Sequence, residues 1–235
     1  PWQKSLPWCR GLFTFSRYHQ RSLQPLLPIP VDTLLLPTET PALKWSPEKF
    51  AANKQKQVVQ VGWWLRRLHA IYQLPRTDFA KAFLNVAHPS IPELMKKEKE
   101  ILMSEGAYSA IDLHSASVIP FLSNREYDLL LSQNIVFLHL YDSSACNAIV
   151  ECMVRHTPLL INPLEAVVEY LGPEYPFYFQ TLEEAAAKLM DRALIHRTHE
   201  YLLRLGRVQE LCGENFRRAF VGSGIYRSLP PPGQG

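Results

Sequence analysis

The sequence has no apolar run near the ~18–20 residues that a membrane-spanning helix needs. Its four cysteines, Cys9, Cys146, Cys152 and Cys212, make no C-x-x-C pair and no Cys/His spacing of a zinc site, and no D-x-D carboxylate pair is present. They read as reduced thiols of a cytoplasmic protein, with no metal expected. Charge of one sign is also missing: 25 basic against 22 acidic residues leave a formal +3, too little to imply nucleic acid as a partner. Three phosphate and nucleophile signatures are absent. There is no G-x-x-x-x-G-K-[ST], no G-x-S-x-G, and no G-x-G-x-x-G. Their absence excludes a P-loop, an α/β-hydrolase elbow and the familiar dinucleotide turn. Disorder throughout is excluded as well, because 47% of the residues are apolar and 20% charged.

What is present begins with a basic lead. Lys4, Arg10, Arg17 and Arg21 precede the first acidic residue, Asp32. No continuous apolar core followed by a small-residue cleavage site accompanies them, so a signal peptide does not fit. The chain opens at Pro1 and reads as a piece of something longer. Residues 1–28, with a strand over 11–16, read as the remnant of a preceding domain. Residues 29–57 hold Pro30, Pro37, Pro41 and Pro47 and read as an extended linker with one short strand near 33–36.

From residue 58 strands and helices alternate. Short β-branched or apolar runs predict strands at 58–62, 81–86, 117–123, 135–141, 158–162 and 175–179. Helical spacing with Pro, Asn or Gly at the ends predicts helices at 63–74, 92–106, 124–134 (with Asn124 as cap), 143–155, 163–172 and 181–194. Such alternation argues for an α/β fold: a doubly wound, parallel, six-stranded Rossmann-like sheet of order 3-2-1-4-5-6 spanning 58–194. Residues 195–222 read as further helices, and 223–235 as a tail.

In that topology ligands bind beyond the carboxyl ends of strands one and four. Two loops meet there: Gly62-Trp63-Trp64 with Arg66 and Arg67 behind it, and Asp142-Ser143-Ser144 at the start of a helix. A helix N-terminus attracts phosphate, Ser143, Ser144 and Asn147 add donors, and Arg66 or Arg67 can clamp a diphosphate bidentately. Ser144, Asn147, Glu151 and Arg155 share one face of the predicted helix. Glu151 lies ~10 Å behind Ser144 at ~1.5 Å per residue, where a carboxylate can accept hydrogen bonds from a ribose. The plainer alternative is an exposed Glu151–Arg155 pair, worth ~0.3–0.5 kcal/mol. Trp63 and Trp64 can stack on a base or pack an interface. His88 can line the crevice, whereas His139 reads as a core histidine and His114 and His156 as scattered. Glu165 and Glu169 read as a solvated helix face.

The segment "ECMVRHTPLLINPLEAVVEYLG" resembles the donor-binding region of GT-B glycosyltransferases, specifically the group with an E-x7-E motif. Glu151, Thr157-Pro158-Leu159-Leu160 and Glu169 fall at matching offsets. Ser143 stands where that group has its first glutamate, with Asp142 beside it, and Pro163-Leu164 replace its glycine pair. The resemblance implies that Glu151 binds the donor ribose, that the 62–67 loop holds the diphosphate, and that Glu169 and Asp142 belong to the donor site. It also implies transfer of a sugar from a nucleotide-diphosphate sugar to a hydroxyl acceptor, with no cofactor beyond that donor. This chain would supply the C-terminal, donor-binding half, with its last helices packing back toward the N-terminal remnant. The alternatives are a GT-B-fold nucleotide-sugar epimerase and a non-catalytic nucleotide- or partner-binding module. No residue is assigned as the catalytic base.

Overall fold

A computed structural model describes residues 4–84, 88–108 and 111–230. Its centre is a five-stranded, fully parallel sheet: β3 (Gln57–Val61), β4 (Ala80–Leu84), β5 (Ala116–Ile119), β6 (Ile135–Leu138) and β7 (Leu159–Ile161), in spatial order β5-β4-β3-β6-β7. That order is the expected 3-2-1-4-5. The sixth predicted strand is absent: 175–179 contributes a single parallel bridge, Ile161↔Tyr178. The anchors Phe177 and Phe179 are buried, and the Tyr175 hydroxyl donates to the Leu159 carbonyl at 2.8 Å and accepts the Leu159 amide at 3.0 Å. Two backbone bonds, from the Ile161 amide to the Phe177 carbonyl and from the Phe179 amide to the Ile161 carbonyl, make up this short pairing, and the Tyr175 side chain supplements it. The continuous β-branched and aromatic runs of β3 and β6 are buried on both faces, as a sheet sandwiched between helices requires.

The helices are α1 (Arg17–Leu23), α2 (Pro47–Ala52), α3 (Ala70–Gln73), α4 (Ile91–Ser104), α5 (Asn124–Gln133), α6 (Asn147–Arg155), α7 (Glu165–Leu171), α8 (Leu182–Met190), α9 (Arg192–Arg204), α10 (Gly213–Gly222) and α11 (Gly224–Arg227). Ser123, rather than Asn124, caps α5 through a capping box with Glu126. The helix predicted over 181–194 breaks at Asp191, which leaves α8 in an extended conformation and whose carboxylate accepts the Leu194 amide to open α9.

The largest departure is the helix predicted over 63–74. Only α3 forms. Ahead of it the chain turns at Trp64-Leu65 and again at Leu68-His69, and between the turns Arg66 bridges antiparallel to Leu140. The Arg67 amide donates to the His139 carbonyl and the Tyr141 amide to the Leu65 carbonyl, at 2.8 and 2.9 Å. Gln60, fully buried in β3, donates to the Arg67 and Leu68 carbonyls and accepts the Ile71 amide. These partners outweigh the apolar spacing of the segment and leave Leu65 at φ 58°, a left-handed conformation that costs a non-glycine residue ~1–2 kcal/mol.

The N-terminal stretch forms a two-stranded parallel sheet, β1 (Leu12–Thr14) with β2 (Val31–Thr33), and α1. β2 ends where the strand near 33–36 was expected to start. The 29–57 stretch contains α2 and lies along the larger sheet domain. Trp45 is buried there, its indole N–H donating to the Asn134 carbonyl at 3.1 Å. The last helices touch the N-terminal strands: Phe220 lies 5.2 Å from Phe13, and a side chain at Gly11 would meet Ile225 at 2.7 Å. Residues 85–86 of the strand expected over 81–86, and 231–235 of the expected tail, lie outside the described residues. Among the described residues no helix is long and apolar enough to cross a membrane.

Candidate functional site

The chain order reverses between β3 and β6, and a cleft of about 370 Å³ opens beside that point at the carboxyl ends of β3, β4 and β5 and the start of α6. Gly62, Trp63, Arg66, Asn147 and Glu151 line it together with Phe121, Leu122 and Tyr127. Gly62 makes the turn off β3 at φ 77°, and a Cβ there would press on the Arg66 guanidinium at 3.0 Å. Glycine therefore serves both the backbone conformation and the room for that side chain.

Arg66 is fixed by three acceptors. Its Nε donates to the Val61 carbonyl at 2.8 Å, Nη1 to the Trp64 carbonyl at 2.5 Å and Nη2 to the Cys146 sulfur at 3.0 Å. The last contact brings the guanidinium to the N-terminus of α6, where Cys146 is the cap residue and no side chain caps the first turn. A cation and the positive end of a helix dipole converge there, an arrangement that favours an anion.

Glu151, on the cleft side of α6, does not pair with Arg155. Its Oε2 accepts the Tyr127 hydroxyl at 2.6 Å, while Arg155 Nε donates to Asp128 Oδ1 at 2.9 Å and Nη1 to the Glu151 backbone carbonyl. Burial, and then the neighbouring carboxylate, push the Tyr127 phenol well above its ordinary value, so it remains a donor. In place of the alternative surface pair there are two separate links from α5 to α6.

Trp64 also lines the cleft, and the other expected residues lie beside or outside it. Arg67 stacks on Tyr141, its guanidinium carbon 4.5 Å from the ring centre, and does not line the cleft. α6 starts at Asn147, so Ser143 and Ser144 sit in the loop before it rather than on its first turn; Ser143 is buried, and its amide donates to Asp142 Oδ1. Glu169 is on α7, where its two oxygens accept the Arg17 and Tyr18 amides at 2.8 and 2.6 Å. It caps α1 instead of facing the cleft. Glu165 pairs with Arg21 on the same helix. His88 stacks on the cleft residue Trp63 at 4.1 Å, and Trp64 is 61% exposed. His139 packs edge-on against Phe179, and burial with the nearby Arg67 lowers its pKa to about 4. His114 is exposed on the far loop before β5. Sequence reasoning missed Tyr127, Phe121 and Leu122. The S-x-x-E box at Ser123–Glu126 fixes the phase of α5, but no local signal in the sequence pairs Tyr127 with Glu151.

No protein-family model matches the sequence, and no curated protein matches it. Solved structures do. A sucrose-phosphate synthase from Thermosynechococcus elongatus is 14% identical with a TM-score of 0.63, over 91% of this chain and 59% of its own. Anabaena HepE, solved in complex with UDP and glucose, is 11% identical with a TM-score of 0.68, over 93% of this chain and 64% of its own. WaaG, a glycosyltransferase involved in lipopolysaccharide biosynthesis, is 15% identical with a TM-score of 0.59, over 90% of this chain and 62% of its own. The chain thus spans about three-fifths of the length of the structures it resembles. With the 3-2-1-4-5 parallel sheet, the small parallel sheet packed beside it and the returning terminal helices, it has the fold of the GT-B glycosyltransferases.

Proposed function

We propose that this chain is the donor-binding part of a glycosyltransferase that moves a sugar from a nucleotide-diphosphate sugar to a hydroxyl acceptor, in the cytoplasm. The observation that carries the reading is the convergence of Arg66, the open N-terminus of α6 and the Glu151 carboxylate in one cleft at the topological switch point. Breaking the bond between the anomeric carbon and the diphosphate leaves negative charge on the diphosphate. A fixed guanidinium and a helix N-terminus stabilise that charge without reorganising. Asn147, the first residue of α6, adds a side-chain donor beside them. Glu151 accepts hydrogen bonds from the ribose, and the apolar wall at Phe121 and Leu122 receives the base. The GT-B fold and the UDP in the HepE structure support this reading.

The test is binding of UDP, GDP and ADP to the chain by thermal shift and calorimetry. One of them should raise the melting temperature, and Glu151→Ala should weaken its binding at least tenfold. Absence of binding by all three would sink the proposal.

A further inference from the structure

Two charged residues on α6, Glu151 and Arg155, are four apart, the spacing at which a glutamate and an arginine meet on a helix surface. Here they are kept apart by consecutive residues of α5. Tyr127 takes one oxygen of Glu151, and Asp128 takes the Arg155 guanidinium. The Arg155–Asp128 pair is nearly buried, with side chains 9% and 14% exposed. The second oxygen of Asp128 accepts the Ala42 amide at 3.1 Å. Arg155 also lies over the Tyr127 ring, its guanidinium carbon 5.8 Å from the centre. These contacts tie Arg155 to Asp128, and they leave the second oxygen of Glu151, a residue that lines the cleft, without a hydrogen-bond partner among the described residues.

We infer that Tyr127 is a positioning residue for nucleotide selection: its hydroxyl fixes the Glu151 carboxylate so that the free oxygen meets the hydroxyls of a ribose, and Asp128 prevents Arg155 from capturing that carboxylate. This rests on the donor-binding reading of the cleft. A flexible glutamate on a half-open helix face would lose rotamer freedom on binding. A carboxylate already held by the half-buried Tyr127 phenol has given up much of that freedom beforehand, the preorganisation that raises affinity without adding a contact. The phenol suits the task because it donates a single hydrogen bond and adds no charge. A lysine or arginine in its place would neutralise the carboxylate and compete for both oxygens. The inferred consequence is selectivity for ribose in the donor, exerted through the carboxylate that Tyr127 orients.

The experiment measures, by calorimetry, the affinity of UDP and of 2′,3′-dideoxy-UDP for the wild type, Tyr127→Phe, Asp128→Asn and Glu151→Ala, with melting curves for each. The wild type is expected to prefer the ribose form about tenfold, a hydrogen bond of roughly 1.4 kcal/mol. Tyr127→Phe should reduce that preference below threefold while leaving the dideoxy affinity unchanged. Asp128→Asn, which frees Arg155 to reach Glu151, should reduce it as well, and Glu151→Ala should abolish it. A folded Tyr127→Phe protein with the full wild-type preference overturns the inference and leaves donor binding standing. Wild-type protein that binds UDP without preferring ribose overturns it too. Failure of the wild type to bind UDP, GDP and ADP overturns both this inference and the function on which it rests.

Discussion

Replacing Glu169 with alanine separates two roles that the sequence offers for one residue. By resemblance Glu169 belongs to the donor site. In the structure its oxygens accept the Arg17 and Tyr18 amides at the start of α1, and its side chain is 23% exposed. Hydrogen bonds to a charged acceptor contribute ~1.5–3 kcal/mol each, and an acidic group at a helix N-terminus adds ~0.3–1 kcal/mol. These contributions are not additive and are screened at a partly exposed site, so the loss expected for Glu169→Ala is about 2 kcal/mol. Other ties to α7 remain: the Arg21–Glu165 pair and the Tyr170 hydroxyl, which donates to the Phe15 carbonyl at 2.6 Å. The loss should therefore show as local opening of α1 rather than global unfolding. At 1.4 kcal/mol per factor of ten, protection of the amides of residues 17–23 against hydrogen exchange should fall roughly 30-fold. Nucleotide affinity should stay within a factor of two. The refuting result is the reverse: α1 exchanging as in the wild type while UDP binding weakens fivefold or more.

Gly62→Ala places a methyl 3.0 Å from the Arg66 guanidinium at φ 77°. The strain of alanine in that conformation should lower stability by about 1 kcal/mol, and displacement of Arg66 should weaken UDP binding about tenfold by calorimetry. Unchanged affinity would remove Arg66 from the diphosphate site. Burial, and next Lys44, hold the His156 imidazole down at about 4, and His139 is likewise held at about 4. Both are neutral in the fold and take up protons when unfolded at ~6.5. Their stabilising contribution is complete above that pH and is lost as pH falls from ~6.5 through about 4. The urea midpoint should drop across this window. His156→Asn should flatten the drop, since asparagine tolerates the left-handed conformation at φ 55° that ends α6. An equally steep drop in the variant would place the titrating group elsewhere.

The sequence by itself determined the α/β class, the order of the five strands that form and the position of the cleft, though not the loss of the sixth strand, because buried parallel strands are written as continuous β-branched runs and their alternation with helices permits few topologies. It also singled out Glu151 and Gly62. The first is a carboxylate in an apolar stretch and the second a glycine ending a strand, and both features are local. Only tertiary structure decided what these residues touch. The 63–69 segment has helical spacing, yet Gln60 and the strand-like exit of β6 take its backbone groups. The Ser143-Ser144 turn became a loop because α6 starts at Asn147, with its cap residue Cys146 beside a guanidinium 80 residues earlier in the chain. Glu169 was taken up by helix amides more than 150 residues away, and Arg155 by an aspartate on another helix. Which of Arg66 and Arg67 lines the cleft follows from direction alone. Leu65, in its left-handed conformation, turns the chain so that Arg66 faces the α6 N-terminus and Arg67 faces Tyr141. Spacing along the chain carries no such information, because side-chain partners are set by how elements pack.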